Sequence, residues 1–149
     1  MNITAAGAGL CPLTGSHRSL RLAAVDTAPG LARTVIRDWL PVVGLAGLED
    51  AVVQVASELV ANAYQASERW AARRRWSCLP PLHFVLDACG DRVLIEVWDV
   101  SEQPPVADAQ PGLESERGRG LFIVEAMAER WGWRLRTDMP GKCVWAIVR

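Results

Sequence analysis

Residues 48–74 carry Val52, Val55, Ala56, Leu59, Val60 and Ala63 at helical spacing along one face. A helix of this length with a one-sided apolar stripe must find a partner surface in the rest of the chain, so the flanking segments have to supply one. Before it, residues 19–23 alternate polar and apolar as a half-buried strand would. Residues 27–40 then read as a helix with Asp26 or Thr27 as N-cap, Pro29 in its first turn and Leu31, Val35, Ile36 and Trp39 at helical spacing. Pro41 and Gly44 end it. After the long helix, Pro80 and Pro81 mark a loop. Residues 82–88 and 92–98 are apolar, β-rich runs joined by a tight turn at Cys89, Gly90 and Asp91. A polar, Pro- and Gly-rich stretch follows at 99–119, longer than an ordinary connector and therefore expected to be a lid or binding loop. Residues 121–130 read as a third helix, and 131–137 and 143–148 as strands joined by a turn at Met139, Pro140, Gly141 and Lys142. The order β, α, α, β, β, loop, α, β, β predicts an α+β sandwich: a mostly antiparallel sheet with helices on one face.

The 149 residues suit one domain, read as residues 16–149 behind a flexible leader at 1–15. Sixteen Lys plus Arg against seventeen Asp plus Glu lack the basic excess of a nucleic-acid binder, so direct nucleic-acid contact is not expected. Charged side chains interrupt every long apolar run, so no membrane span is expected. No Lys or Arg precedes the first apolar residues as a signal peptide would require, so a cytoplasmic protein is expected. Cys11, Cys78, Cys89 and Cys143 form no C-x-x-C pair, which points to reduced thiols rather than a zinc site or disulfide scaffold.

Three local features could carry chemistry. Glu58 and Asn62, four residues apart, share the shoulder of the apolar stripe. An amide oxygen there can ligate a hard cation and a carboxylate can take a proton, although such a pair also reads as a solvated helix edge. Asp99, followed by Ser101, Pro104 and Pro105, ends a strand where a carboxylate can accept a hydrogen bond from an exocyclic amine; the bland reading is a proline-rich exit turn. Gly118, Arg119, Gly120 and Leu121 open the third helix, whose free N–H groups favour phosphate, but two glycines alone also serve structure. Neither G-x-x-x-x-G-K-[ST] nor G-x-G-x-x-G is present.

In order and spacing, Glu58-Leu59-Val60-Ala61-Asn62-Ala63, then Asp99-Val100-Ser101 with Pro104-Pro105, then Glu114-Ser115 and Gly118-Arg119-Gly120-Leu121 resemble the N, G1 and G2 boxes of the GHKL ATP-binding superfamily. The chain is most similar to its anti-sigma factor serine/threonine kinase group. Arg130-Trp131-Gly132 and Gly141-Lys142-Cys143-Val144-Trp145 resemble that group's ending. The resemblance implies the histidine-kinase-like (Bergerat) sandwich, with ATP and Mg²⁺ as cofactors. It implies Asn62 as the Mg²⁺ ligand, Glu58 as general base, Asp99 at the adenine amine, and Gly118, Arg119 and Gly120 around the phosphates. Ser101, Pro105, Leu121 and Cys143 complete the cofactor-binding set, and residues 106–117 form a lid over the nucleotide. It further implies γ-phosphate transfer to a Ser or Thr of an anti-sigma factor antagonist, sequestration of a sigma factor, and a homodimer. Tyr64-Gln65 stands where many relatives carry a basic Arg-His pair, and Cys143 where many carry Thr. These departures leave open an alternative, a nucleotide-gated interaction module without kinase activity.

The remaining conspicuous residues read as structure. Arg73, Arg74, Arg75 and Trp76 suggest a solvated helix end or partner surface. Trp39, Trp98, Trp131, Trp133 and Trp145 suggest core or dimer-interface positions, and His17 and His83 are isolated.

Overall fold

The computed structural model describes residues 17–105 and 119–149. The leader at 1–15, the lid at 106–117 and Gly118 lie outside the described residues. The chain runs β1 (His17–Leu22), α1 (Ala28–Trp39), a 3₁₀ turn at Ala46–Leu48, α2 (Glu49–Arg74), β2 (Leu82–Cys89), β3 (Arg92–Asp99), α3 (Arg119–Met127), β4 (Arg130–Leu135) and β5 (Lys142–Val148). The five strands form one antiparallel sheet in the order β1-β2-β3-β5-β4. This is the α+β sandwich expected from the sequence.

Helix α2 is the spine. Val52, Val55, Ala56, Leu59, Val60 and Ala63 bury its stripe against Phe84 and Leu86 of β2, Val93, Ile95 and Val97 of β3, and Val144, Ala146 and Val148 of β5. Alternation along each strand sends every second side chain into this layer. The intervening residues Leu94, Trp98, Cys143, Trp145 and Ile147 form a separate, smaller cluster on the opposite face. There Trp98 lies under the guanidinium groups of Arg134 and Arg136, at 4.8 and 5.2 Å from the ring centre. Helix α1 adds Ala32, Ile36 and Trp39 to the main core. Pro29 stands in its first turn as anticipated, and Thr27 takes the N-cap position but makes no side-chain capping bond.

Element boundaries shift from expectation by one to three residues, most at the end of α3. Helix α3 stops at Met127 rather than Arg130 because the Glu129 N–H donates to the Ile147 carbonyl at 2.8 Å, drawing the chain into the sheet as β4. Trp133 is exposed on β4, whereas Trp39 and Trp145 are buried and Trp98 and Trp131 half-buried. The β2–β3 hairpin turns at Gly90 and Asp91, with Gly90 in the left-handed region at φ 60° that glycine adopts without strain.

Leu59 is fully enclosed at the centre of the α2 stripe. Leu59→Ala should destabilise the domain by about 2–5 kcal/mol, read as a lowered urea midpoint with an unchanged slope.

Candidate functional site

The rotation that buries Leu59 and Ala63 leaves Glu58 and Asn62 half-buried on the shoulder of α2, one turn apart. Gln54, one turn earlier, donates from Nε2 to Glu58 Oε1 at 3.3 Å. Burial raises the Glu58 pKa above that of an ordinary glutamate, against the smaller lowering effect of the Gln54 bond. Asn62 Nδ2 is buried with no hydrogen-bond partner among the described residues, an uncommon state for an amide nitrogen inside a protein.

The first turn of α3 closes on this pair. A Cβ on Gly120 would stand 2.5 Å from Glu58 Oε2 and 3.6 Å from Asn62 Nδ2. The missing side chain of Gly120 lets the α3 backbone approach the Glu58 carboxylate and the Asn62 amide closely. Arg119 opens α3, and Leu121 turns its side chain into the main core rather than toward Glu58.

Asp99 ends β3 on the helix-facing side, in register with Lys142 of β5. Its carboxylate is buried. Oδ1 accepts from the Ser101 N–H at 2.7 Å and from Lys142 Nζ at 2.9 Å. Lys142 Nζ also lies 2.9 Å from Oδ2 as an ion pair, and Oδ2 accepts no hydrogen bond from the described residues. Burial raises the Asp99 pKa, and Lys142 is the largest force pulling it back down. Lys142 in turn donates to the Ser101 carbonyl at 3.4 Å, and Ser101 Oγ accepts from the Gln103 N–H at 3.3 Å. Pro105 is half-buried at the end of this turn. Gly141, at φ 136°, feeds Lys142 under Asp99; a Cβ there would collide with the Asp99 carbonyl oxygen.

Beside Ser101 and Gln103 opens a groove of about 220 Å³ whose other wall is Ala66, Arg69, Trp70 and Arg73 of α2. The basic helix end noted in the sequence therefore borders the same region as Asp99. Arg74 stacks over Trp70 at 4.4 Å from the ring centre.

The structure thus brings together Glu58, Asn62 and Gly120 at the α2–α3 contact, and Asp99 with Ser101 along the neighbouring strand end. Cys143 is not among them. It lies fully buried in the cluster on the far face of the sheet, where desolvation pushes its thiol pKa well up. Lys142 and Gln54 are site residues that the sequence reading did not single out. A lysine beside an apolar strand, with an aspartate at the end of another, was the available signal for a buried pair. Among the described residues no three His, Cys, Asp or Glu side chains are grouped to hold a metal, and no helix is long and apolar enough to cross a membrane.

A family model described as a histidine kinase-like ATPase domain matches residues 22–148. The fold is similar to that in the crystal structure of the RsbU and RsbW domains of Rv1364c from Mycobacterium tuberculosis, with a TM-score of 0.61 at 19% sequence identity. That similarity covers 89% of this chain and 32% of the other, so the chain spans about a third of the structure it matches. No curated protein matches the sequence.

The contact at Gly120 makes a prediction. Gly120→Ala should leave stability within about 1 kcal/mol, because the methyl meets the movable end of Glu58 rather than backbone. It should nevertheless displace the carboxylate and weaken whatever ligand the site holds, read by thermal melting and ligand titration side by side.

Proposed function

The chain belongs to the histidine kinase-like ATPase domain family, and from that premise we propose an ATP-binding regulator of the anti-sigma factor serine/threonine kinase type. In this reading it transfers the γ-phosphate of ATP to a Ser or Thr of an antagonist protein and sequesters a sigma factor. The observation that carries the ATP site is the buried Asn62 amide, whose nitrogen has no partner among the described residues, set against the start of α3 at Gly120, where a side chain would displace the Glu58 carboxylate. Three orphaned polar atoms on α2 and β3, Asn62 Nδ2, Ser67 Oγ and Asp99 Oδ2, suit a polar occupant between those elements better than an apolar one.

When bound, ATP supplies the phosphoryl group and Mg²⁺ offsets its charge. Asn62 would hold the cation through its amide oxygen. Gly120 and Arg119, with the α3 N-terminus, would receive the phosphates through backbone N–H groups. Asp99 would accept from the adenine amine. Glu58, its pKa already raised by desolvation, would take the proton of the attacking hydroxyl as the new oxygen–phosphorus bond forms and ADP leaves. The family resemblance extends this reading to a homodimer that contacts other proteins.

Gln54 favours a second reading, a nucleotide-gated interaction module without transfer, because it already holds one oxygen of the proposed base at 3.3 Å. Variants separate the two. Asn62→Ala should weaken MgATP binding by roughly tenfold to a hundredfold, measured by equilibrium dialysis, about the worth of one charged contact. Glu58→Gln should keep MgATP affinity within about threefold while lowering labelled γ-phosphate transfer to the antagonist by about 10²-fold to 10⁴-fold. In the kinase, transfer should rise with pH through a midpoint above the ordinary glutamate range, following the raised Glu58 pKa. MgATP binding without transfer, alike in wild type and Glu58→Gln, would establish the gated module instead.

A further inference from the structure

Lys142 has no role in the reading so far, yet among the described residues it is one of two charged side chains with almost no solvent contact, at 2% exposure. A lysine is buried in this way only with a partner, and its partner is the residue proposed to read the base. The Lys142 ammonium faces both oxygens of the Asp99 carboxylate, at 2.9 Å from each. Oδ1 accepts from the Ser101 N–H at 2.7 Å and from Lys142 Nζ, while Oδ2, itself buried, accepts no hydrogen bond from the described residues. The Ser101 carbonyl, a second acceptor for Nζ at 3.4 Å, fixes the ammonium from the other side. Gly141 lets the β4–β5 turn press against the Asp99 carbonyl and so delivers Lys142 to this spot.

Resting on the proposed nucleotide site, we infer that Lys142 is a positioning residue that holds Asp99 as an acceptor-only carboxylate, and thereby selects a purine bearing an exocyclic amine over one bearing only an acceptor oxygen there.

The physical argument turns on what a buried carboxyl does without its cation. Burial is the strongest influence on Asp99 and disfavours its charge; Lys142 is the largest influence opposing it. The other charged group reaching Asp99 is Arg69, across the groove on α2, whose effect is the smallest of those acting on it. From β5 the Cys143 thiol also senses Asp99, but its pKa is raised by burial and it stays neutral. Lys142 is thus the chief group keeping Asp99 ionised. An ionised carboxylate can only accept, so it rewards an amine and repels an oxygen that has no donor beside it. A protonated one can donate, and would serve either base.

The test compares binding of ADP with that of its 6-methoxypurine analogue, which carries an acceptor oxygen where ADP carries the amine and has no N1–H to donate in its place, by calorimetry on the full chain. Wild type should prefer ADP by about tenfold or more, the size of one charge-assisted hydrogen bond, with no change between about pH 6 and pH 9. In Lys142→Met the preference should fall to within about threefold at neutral pH and recover as rising pH removes the proton from Asp99. The double variant Asp99→Asn, Lys142→Met replaces the ion pair with neutral groups of similar size and guards against misfolding of the single variant. Its discrimination should be within about threefold at every pH, because an amide can present either edge. A preference retained in Lys142→Met at all pH values, or in the double variant, would overturn the role of Lys142 while leaving the nucleotide site standing. So would a wild-type preference that is lost as pH falls toward neutrality. Failure of folded wild type to bind either nucleotide would overturn the proposal together with the reading beneath it.

Discussion

Burial of the α2 stripe against the sheet is the constraint on which the remaining architecture depends. At about 100° per residue, the choice of Leu59, Val60 and Ala63 as inward positions settles where every other residue of the helix points. Glu58 and Asn62 fall at the edge of the buried face, deep enough to lose most solvent and shallow enough to meet the start of α3. The same contact between helix and sheet thus stabilises the domain and sets the dielectric in which Glu58 works. A different stripe would expose both polar groups to water.

The strand ends complete the arrangement. Antiparallel pairing puts Asp99 at the last position of β3 directly across from Lys142 at the first of β5, and parity sends both toward the helices. Two opposite charges are thereby held in a poorly solvated place. Such a pair contributes little net stability, because desolvation offsets most of the attraction, but removing either partner strands the other. Its usefulness lies in holding one carboxylate in one protonation state and one orientation. Glycines at both margins, Gly120 and Gly141, allow backbone to close in where side chains would not fit.

Much of this was legible in the sequence, and the exceptions have physical causes. The one-sided periodicity of α2 and the turn at Gly90 and Asp91 are local signals, and strand and helix order followed from them. Glu58, Asn62 and Gly120 were named from type and spacing, but their meeting depends on how α3 docks on α2. The end of α3 was misjudged because apolar spacing continues past Met127, whereas the Glu129 bond that ends the helix comes from β5, far away in sequence. The facing of Cys143 was hidden for a different reason. Strand β5 is buried along its whole length, so its sequence shows no alternation from which to assign faces. Only the register against β3 reveals that Lys142 faces the helices and that its neighbour Cys143 cannot.

The account stands on the surfaces around Asn62, Gly120 and Asp99 forming a nucleotide site. Calorimetric titration of ATP into the unmodified chain, with and without Mg²⁺, tests this most directly. The account predicts saturable one-to-one binding that tightens when Mg²⁺ is present. A folded chain that takes up no ATP under either condition would contradict it.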